Sequence, residues 1–371
     1  MIHLIFGLPS VYVIARVVWP LPWPPGLKLV FAVALLVASQ FHFWSRLSSG
    51  SVFSPEFPRF VVILFNWAFG ATALLAVLQF ALDVVSLTSK VLPNGGWAIG
   101  DGWRYAAAIL AMSLAALAVG QATRLPPLKD VELTVRNLPG EFDGYRILQL
   151  ADLHISRLFP ASWTRAVVER SLALAPDMIA VTGDFIDGPL SARRDDVEPL
   201  RKLHAPGGVW AIPGNHEYFF GVETWMRHFG SMGMRILAND HAVLRRGDGA
   251  IVLAGVTDLS APPGQRAHDL DAALAGAPSD APILLLDHQP RNARQAAARG
   301  VALQLSGHTH GGMILGLDRL VARANAGFVS GAYDVDGMTL YVNNGTALWP
   351  GFALRLGRPP ELTRITLRRR P

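Results

Sequence analysis

The 371 residues include no cysteine, so disulfides, thiolate metal sites and cysteine nucleophiles are excluded, while the redox compartment stays open. Charge is also scarce, at 16% Asp, Glu, Lys and Arg against about 25% in ordinary soluble domains. The shortage is concentrated at one end. Between Met1 and Ala122 the only formal charges are Arg16, Lys28, Arg46, Glu56, Arg59, Asp83, Lys90, Asp101 and Arg104. That stretch has neither a basic region at its start nor a twin-arginine pair, so a cleaved leader explains at most its first apolar run. A stripe of like charge is missing too. The net charge is +5, but the basic residues of the second half alternate with acids, which argues against a nucleic-acid partner and against a nuclease. Arg364, Arg368, Arg369 and Arg370 cluster near the C-terminus. They read as a solvated tail, with anionic lipid headgroups as the alternative contact.

What is abundant is apolar sequence, 51% overall. Four stretches stand out: Leu4 to Trp19, Leu29 to Ser45, Phe60 to Leu82, and Tyr105 to Thr123. Each approaches the roughly 17–25 residues of a membrane-spanning helix. They are apolar all round, whereas core helices of a soluble domain keep a polar face. The connections Pro20-Leu21-Pro22-Trp23-Pro24-Pro25, Ser48-Ser49-Gly50-Ser51 and Pro93-Asn94-Gly95-Gly96 hold helix breakers, with tryptophans suited to the bilayer interface. The pattern predicts an all-α transmembrane helix bundle of about four helices over residues 1–123. His42, beside Phe41, Phe43 and Trp44, reads as an interfacial residue. With an even number of spans, Arg46, Arg59, Arg124 and Lys129 fall on one side and Arg16, Lys28, Lys90 and Arg104 on the other. The Lys/Arg census is therefore a tie, and the face of the membrane stays open.

After Arg124-Leu125-Pro126-Pro127 the character changes. Residues 124–145 read as a linker and first strand, in which Val131 to Val135 alternates, and 146–371 as a second domain with an amphipathic helix over Trp163 to Ala175. Five polar clusters in that domain share one setting, each following a short apolar run that reads as a buried strand. Ile147-Leu148-Gln149-Leu150 precedes Asp152-Leu153-His154, and Met178-Ile179-Ala180-Val181 precedes Gly183-Asp184-Phe185-Ile186-Asp187. Val209-Trp210-Ala211-Ile212 precedes Gly214-Asn215-His216-Glu217. Ile283 to Leu286 precedes His288, and Val301 to Leu305 precedes Gly307-His308-Thr309-His310.

Loops beyond the carboxyl ends of strands converge in α/β folds, so five such loops can meet at one point. Carboxylates, imidazoles and an amide oxygen without sulfur suit Mn, Fe, Zn or Co. About seven candidate ligands exceed the four of a tetrahedral zinc and favour two divalent metal ions, with a carboxylate such as Asp184 able to bridge them. Glycines at 183, 214 and 307 let the backbone turn sharply. The alternation of strands and helices predicts an α/β (α+β) fold, a four-layer α/β/β/α sandwich.

In its order of motifs, DxH, GDxxD, GNH(D/E), H and GHxH, the chain resembles the calcineurin-like metallophosphoesterase superfamily over roughly Arg146 to Leu367. Leu305-Ser306-Gly307-His308-Thr309-His310-Gly311-Gly312 and Pro360-Glu361-Leu362-Thr363 look like its YkuE/YaeI-like branch, whose members often carry Gln where this chain has Met313. The resemblance implies that Asp152, His154 and His310 hold one metal and Asn215, His288 and His308 the other, with Asp184 bridging. It also implies that His216 stands near the scissile phosphate, oriented by Asp187. Glu217, next after it, reads as a support of the loop that does not bind metal. The activity implied is hydrolysis of a phosphoester or pyrophosphate. Several membrane spans favour a lipid-linked substrate, and the resemblance suggests UDP-2,3-diacylglucosamine, a lipid A precursor. Another lipid phosphate or a nucleotide is the alternative, and a non-catalytic membrane sensor a further one. The expected location is the cell (inner) membrane, multi-pass.

Overall fold

A computed structural model of the protein describes residues 2–91 and 96–370, so the predicted turn at Pro93-Asn94-Gly95 lies outside the described residues. The chain divides into two compact units. The first comprises Met1–Ala122 and Pro350–Leu356, the second Thr123–Trp349 and Gly357–Pro371.

The first unit is helical. Helix α1 (Ile2–Val13) runs into one π-helical turn (Ile14–Val18), followed by α2 (Pro25–Ser39), α3 (Phe41–Ser49), α4 (Arg59–Ser89) and α5 (Asp101–Thr123). Pro25 opens α2 at a position where its missing N–H has no intrahelical partner to lose. Gly50 closes α3 in the left-handed region, φ 79°, which relieves the Cβ clash any other residue would meet. Helices α4 and α5 are long and apolar enough to cross a membrane. Helices α2 and α3 pass the same test only as a pair bent by 57°, and the apolar segment Phe6–Val18 is shorter. His42, expected at the bilayer interface, packs inside the helical unit. It is buried, stacked on Phe6 at 4.4 Å and edge-on to Phe69 at 5.9 Å.

The short segment Pro350–Leu356 packs within this helical unit. Asn66, buried in α4, donates from Nδ2 to the Pro350 carbonyl at 2.8 Å and accepts at Oδ1 from the Ala353 N–H at 2.7 Å. The Arg355 N–H donates to the Ala118 carbonyl. Phe352 meets Phe69 edge-on at 6.0 Å. Leu354 lies against Gly70 so closely that a Cβ there would sit 2.8 Å from its methyl carbon.

The second unit holds two six-stranded sheets. Its strands are β1 (Leu128–Val135), β2 (Arg146–Leu150), β3 (Met178–Thr182), β4 (Val209–Ile212), β5 (Arg235–Ile236), β6 (Asp240–Arg246), β7 (Gly249–Gly255), β8 (Ile283–Leu286), β9 (Val301–Ser306), β10 (Gly331–Val335), β11 (Met338–Val342) and β12 (Leu362–Arg369). Between them run α6 (Ala161–Ala173), α7 (Leu190–Val197), α8 (Asn215–Phe219), α9 (Val222–Ser231), α10 (Leu270–Leu274), α11 (Ala293–Ala298) and α12 (Asp318–Ala324). The strand orders are β1-β12-β2-β3-β4-β5 and β10-β11-β9-β8-β7-β6.

Strand pattern explains the layering. Ile147, Met178, Ala180, Trp210 and Ile212 of the first sheet join Leu253, Leu284, Leu286, Leu303 and Leu305 of the second in one buried core. Their alternate neighbours Leu148, Ile179 and Val181 are equally buried on the opposite face, as parallel strands covered on both sides require. On the outer face of the second sheet, Leu270 and Ala273 of α10 and Ala293 and Ala296 of α11 close a second core. The predicted α/β architecture of sheets and helices is present. Arg364, Arg368 and Arg369 do not form a tail, because they ride on β12, which pairs in parallel with β1. Arg364 binds Asp130 and Arg368 binds Glu132, each at 2.6 Å.

Candidate metal centre

The five strand-end loops converge at the carboxyl ends of β2, β3, β4, β8 and β9. Their backbones are held in an uncommon conformation. Asp152 (φ 53°), His154 (42°), Asp184 (55°), His308 (69°) and His310 (50°) all occupy the left-handed region, which costs a non-glycine residue about 1–2 kcal/mol. Such strain persists only where the surroundings over-determine it. Here the loops are laced to one another: Asp152 N–H donates to the Gly183 carbonyl, His154 N–H to the Asp184 carbonyl, and Gly307 N–H to the His288 carbonyl. At Gly214 an added Cβ would collide with the Asp184 carboxylate, and at Gly307 it would lie 2.5 Å from Asp152 Oδ2.

Three donor groups result, and the two that contain Asp184, one with His154 and His216 and one with His288 and His308, share that residue. Asp152, His154 and His310 form a cluster whose ligand atoms lie within 4.8 Å of one another, and Asp184, His288 and His308 form another. In the first, His154 Nε2 stands 3.3 Å from His310 Nε2 and 3.8 Å from Asp184 Oδ2, and His310 Nε2 is 3.8 Å from Asp152 Oδ1. In the second, the Asn215 carbonyl oxygen lies 3.1 Å from His288 Nε2 and 3.0 Å from His308 Nδ1, and His288 Nε2 is 3.3 Å from Asp184 Oδ2. Asp184 Oδ2 thus faces both groups. Among the described residues, every predicted ligand is in this cluster.

The rings are aimed by partners behind them. His288 Nδ1 is 2.8 Å from the Thr182 carbonyl, which leaves Nε2 to face the cluster. Asp187 places one oxygen 3.1 Å from His154 Nδ1 and the other 2.5 Å from His216 Nδ1. His216 Nε2 then sits 4.0 Å from Asp184 Oδ2, on the same cluster. Imidazole nitrogens oriented this way present lone pairs to a cation, and an N/O donor set without sulfur matches a hard or borderline divalent metal. The residues present therefore fit two metal ions sharing a carboxylate.

Burial and neighbouring charges shift the groups of the cluster in opposing directions. Burial, above all, raises the Asp152 carboxyl to about 6, with Asp184 adding to it against the pull of His288. Burial opposes ionisation of Asp184 as well, yet His288, His216 and His154 outweigh it and hold this carboxyl well below the usual range. For His216, burial pulls down but Asp184 and Asp187 prevail and push the imidazole up to about 9. Burial and the neighbouring His288 lower His308 to about 3. Protons and like charges are crowded where bound cations would take the protons' place.

Glu217 is the residue whose importance the motif alone understates. It is buried, and its two oxygens accept from three backbone donors: Asp184 N–H at 3.0 Å, Phe185 N–H at 2.8 Å and Gly214 N–H at 2.7 Å. It pins the Gly183-Asp184 turn to the Gly214-Asn215 turn. Its position three residues after Gly214, opening α8, is the capping-box spacing and was the available signal. Asp187 holds two imidazoles, whereas its motif suggests one.

A family description for calcineurin-like phosphoesterases matches residues 145–312. The chain belongs to the calcineurin-like metallophosphoesterase family. It is 31% identical over 260 residues to the uncharacterized metallophosphoesterase YkuE of Bacillus subtilis, covering 67% of this chain and 89% of that one. It is 35% identical over 273 residues to a transmembrane protein with a metallophosphoesterase domain from Danio rerio, covering 71% of this chain and 62% of the relative's length. The chain thus spans less than two thirds of that relative. Among solved structures, a dimetal phosphatase from Danio rerio superposes with a TM-score of 0.36 at 12% identity, covering 55% of this chain and 88% of the other.

Proposed function

We propose that this chain is a membrane-anchored, two-metal phosphoesterase that hydrolyses a phosphoester or pyrophosphate bond of a lipid-linked substrate. The observation that carries the reaction class is the placement of Asp184 Oδ2 between two donor groups, 3.8 Å from His154 Nε2 and 3.3 Å from His288 Nε2. In this reading Asp152, His154 and His310 would hold one cation and Asn215, His288 and His308 the other, with Asp184 placed to serve both. Two cations in such a site supply a hydroxide at neutral pH and neutralise charge on the phosphoryl oxygens.

The chain's own groups do the rest. His216 offers Nε2 toward the cluster while Asp187 accepts from Nδ1–H, which fixes the tautomer and favours the protonated ring. His216 so held donates a proton to the departing oxygen. Asp187 also fixes His154, so acid and ligand are aligned by one carboxylate. Phe219 packs edge-on against His216 at 5.2 Å and shields its flank from water.

Two features support a lipid-linked substrate. Helices α4 and α5 have the length and composition of membrane spans, which favours a multi-pass protein of the cell membrane. Leu315 and Leu320, soon after His310, are 69% and 58% exposed and Phe219 is 47% exposed, giving apolar side chains that an acyl group can meet. UDP-2,3-diacylglucosamine, with a pyrophosphate and two acyl chains, is the specific candidate. The test uses the purified full chain with Mn²⁺, offered UDP-2,3-diacylglucosamine, undecaprenyl pyrophosphate and bis-p-nitrophenyl phosphate. Turnover of a lipid substrate above the soluble ester is expected. Hydrolysis of the soluble ester alone overturns the lipid reading, and hydrolysis of none overturns the reaction class.

A further inference from the structure

The helical unit holds a partly open cavity of about 400 Å³ between the π-helical turn, α2, α4 and α5. Its walls are built from small or branched apolar residues, among them Val17, Ala34, Ala38, Ala71 and Ala108. The polar atoms on its walls are satisfied within the protein: Trp67 Nε1 donates to the Met112 carbonyl at 3.0 Å and Thr72 Oγ1 to the Ala68 carbonyl at 2.7 Å. The lining is almost wholly apolar and leaves little to hold water, which needs several polar partners. The volume falls in the range of about 300–1,000 Å³ typical of ligand sites.

One end of the cavity differs from the rest. Arg104, Tyr105 and Trp23 line it. Trp23 Nε1 donates to Tyr105 Oη at 2.9 Å, and Arg104 uses Nη1 on Asp101 and Nε on the Arg16 carbonyl. Arg16 pairs with Asp83, and Lys28 Nζ donates to the Trp19 carbonyl. Arg104, on the cavity wall, pairs with Asp101, and Arg16, whose carbonyl it binds, pairs with Asp83; Lys28, on the Trp19 carbonyl, leaves this group of five charges with an excess of one positive charge. Tryptophan and tyrosine beside basic side chains mark headgroup depth in a bilayer. From Arg104 to Met112 the cavity follows eight residues of α5, about 12 Å of helix rise, into hydrocarbon depth. The π-helical turn that contributes Val17 and Val18 is itself a rare geometry that concentrates at functional sites.

We propose that this cavity is a binding site for one acyl chain of an anionic glycerophospholipid, its phosphate held at the Arg104 end. The inference rests on the membrane-spanning reading of these helices and is independent of the metal centre. An apolar slot alone would take any acyl chain. The excess positive charge at its mouth selects the anionic headgroup, by about 1 kcal/mol for each basic residue near the surface.

The test reconstitutes the full chain in nanodiscs of phosphatidylcholine carrying a trace of phosphatidylglycerol or phosphatidylcholine with a diazirine on the acyl chain, and maps photolabelled peptides by mass spectrometry. Label on the α4 and α5 segments lining the cavity is expected, stronger from phosphatidylglycerol. Ala108→Phe should remove it, while Val77→Phe, at a position 67% exposed, should keep it. Arg104→Gln should lower the phosphatidylglycerol preference about fivefold, as the loss of roughly 1 kcal/mol predicts. This ratio is read within one sample and stands even if Ala108→Phe fails to fold. Equal labelling by the two lipids in the wild type, or undiminished cavity labelling of a monodisperse Ala108→Phe protein, overturns the proposal. Alkaline carbonate extraction of cell membranes separates the two readings: release of the chain defeats the membrane reading, whereas retention with no cavity label defeats only the lipid site.

Discussion

Replacing Asp187 by Asn should damage the centre twice, through two different imidazoles. One carboxylate oxygen lies 2.5 Å from His216 Nδ1 and the other 3.1 Å from His154 Nδ1. The His216 arm governs a proton donor, whose loss typically costs about 10²–10⁴ in rate. The His154 arm orients a candidate metal ligand, and losing such a partner costs about 10–100-fold in metal affinity or activity, or roughly 1.4–2.8 kcal/mol. The two effects separate in a double-mutant cycle. If Asp187 worked through His216 alone, Asp187→Asn would be silent in a His216→Ala background. The geometry requires a residual fall in metal affinity there of about 10–100-fold. The assay is hydrolysis of bis-p-nitrophenyl phosphate across a Mn²⁺ titration, giving kcat and apparent metal Kd for the four proteins. Identical metal Kd values for His216→Ala and the double variant would refute the second arm. A kcat for Asp187→Asn close to wild type at saturating Mn²⁺ would refute the first.

Other perturbations follow from the same geometry. Asp184→Ala removes the carboxylate facing both donor groups, so elemental analysis should find the bound metal reduced from two ions per chain, with activity lost; two retained ions would contradict the bridge. Glu217→Gln leaves backbone N–H donors facing an amide NH₂. With each buried unsatisfied group costing about 1–3 kcal/mol, its chemical denaturation midpoint should fall markedly, and an unchanged midpoint would remove Glu217 from the scaffold. Gly214→Ala drives a Cβ into the Asp184 carboxylate and should cost metal affinity more than fold, as metal titration followed by circular dichroism will report. Exhaustive chelation should abolish hydrolysis and added Mn²⁺ should restore it; activity that survives chelation would argue against a metal centre.

The cluster was legible because its ingredients are local. Each candidate ligand follows a buried strand by two to four residues, and parallel strands deliver their carboxyl ends to the same edge. Apolar runs such as Ile147–Leu150 and Val301–Leu305 announce those strands unaided. The conformations at the ligands were less visible, since Asp, Asn and His only mildly prefer the left-handed region. Nothing local in Asp152 or His310 says that φ is positive there; that is imposed by bonds from loops far away in sequence. Asp187 shows the same limit. Its spacing from Asp184 is readable, but a bond to His154, 33 residues away, is set by where β2 and β3 end. Charge patterning misled in one place: the run of C-terminal arginines resembles a tail until Asp130 and Glu132, more than 230 residues earlier, are placed opposite on the neighbouring strand. In the helical half, hydropathy located the helices but not the 57° bend at Gln40, because a break of one residue leaves the apolar count unchanged.

The docking of Pro350–Leu356 among the helices bears on how this chain can be cut. Its order of assembly is interleaved, since a stretch late in the sequence completes a unit begun at the first residues. A fragment starting at Thr123 therefore does not end cleanly at a domain border. It carries Phe352 and Leu354 without Phe69 and Gly70 to cover them, and the N–H groups of Ala353 and Arg355 without their acceptors on Asn66 and Ala118. Such a piece inherits a sticky loop from its missing half. Trimming the excursion to a short polar turn joining Trp349 to Gly357 is the natural remedy for anyone isolating the metal-binding half.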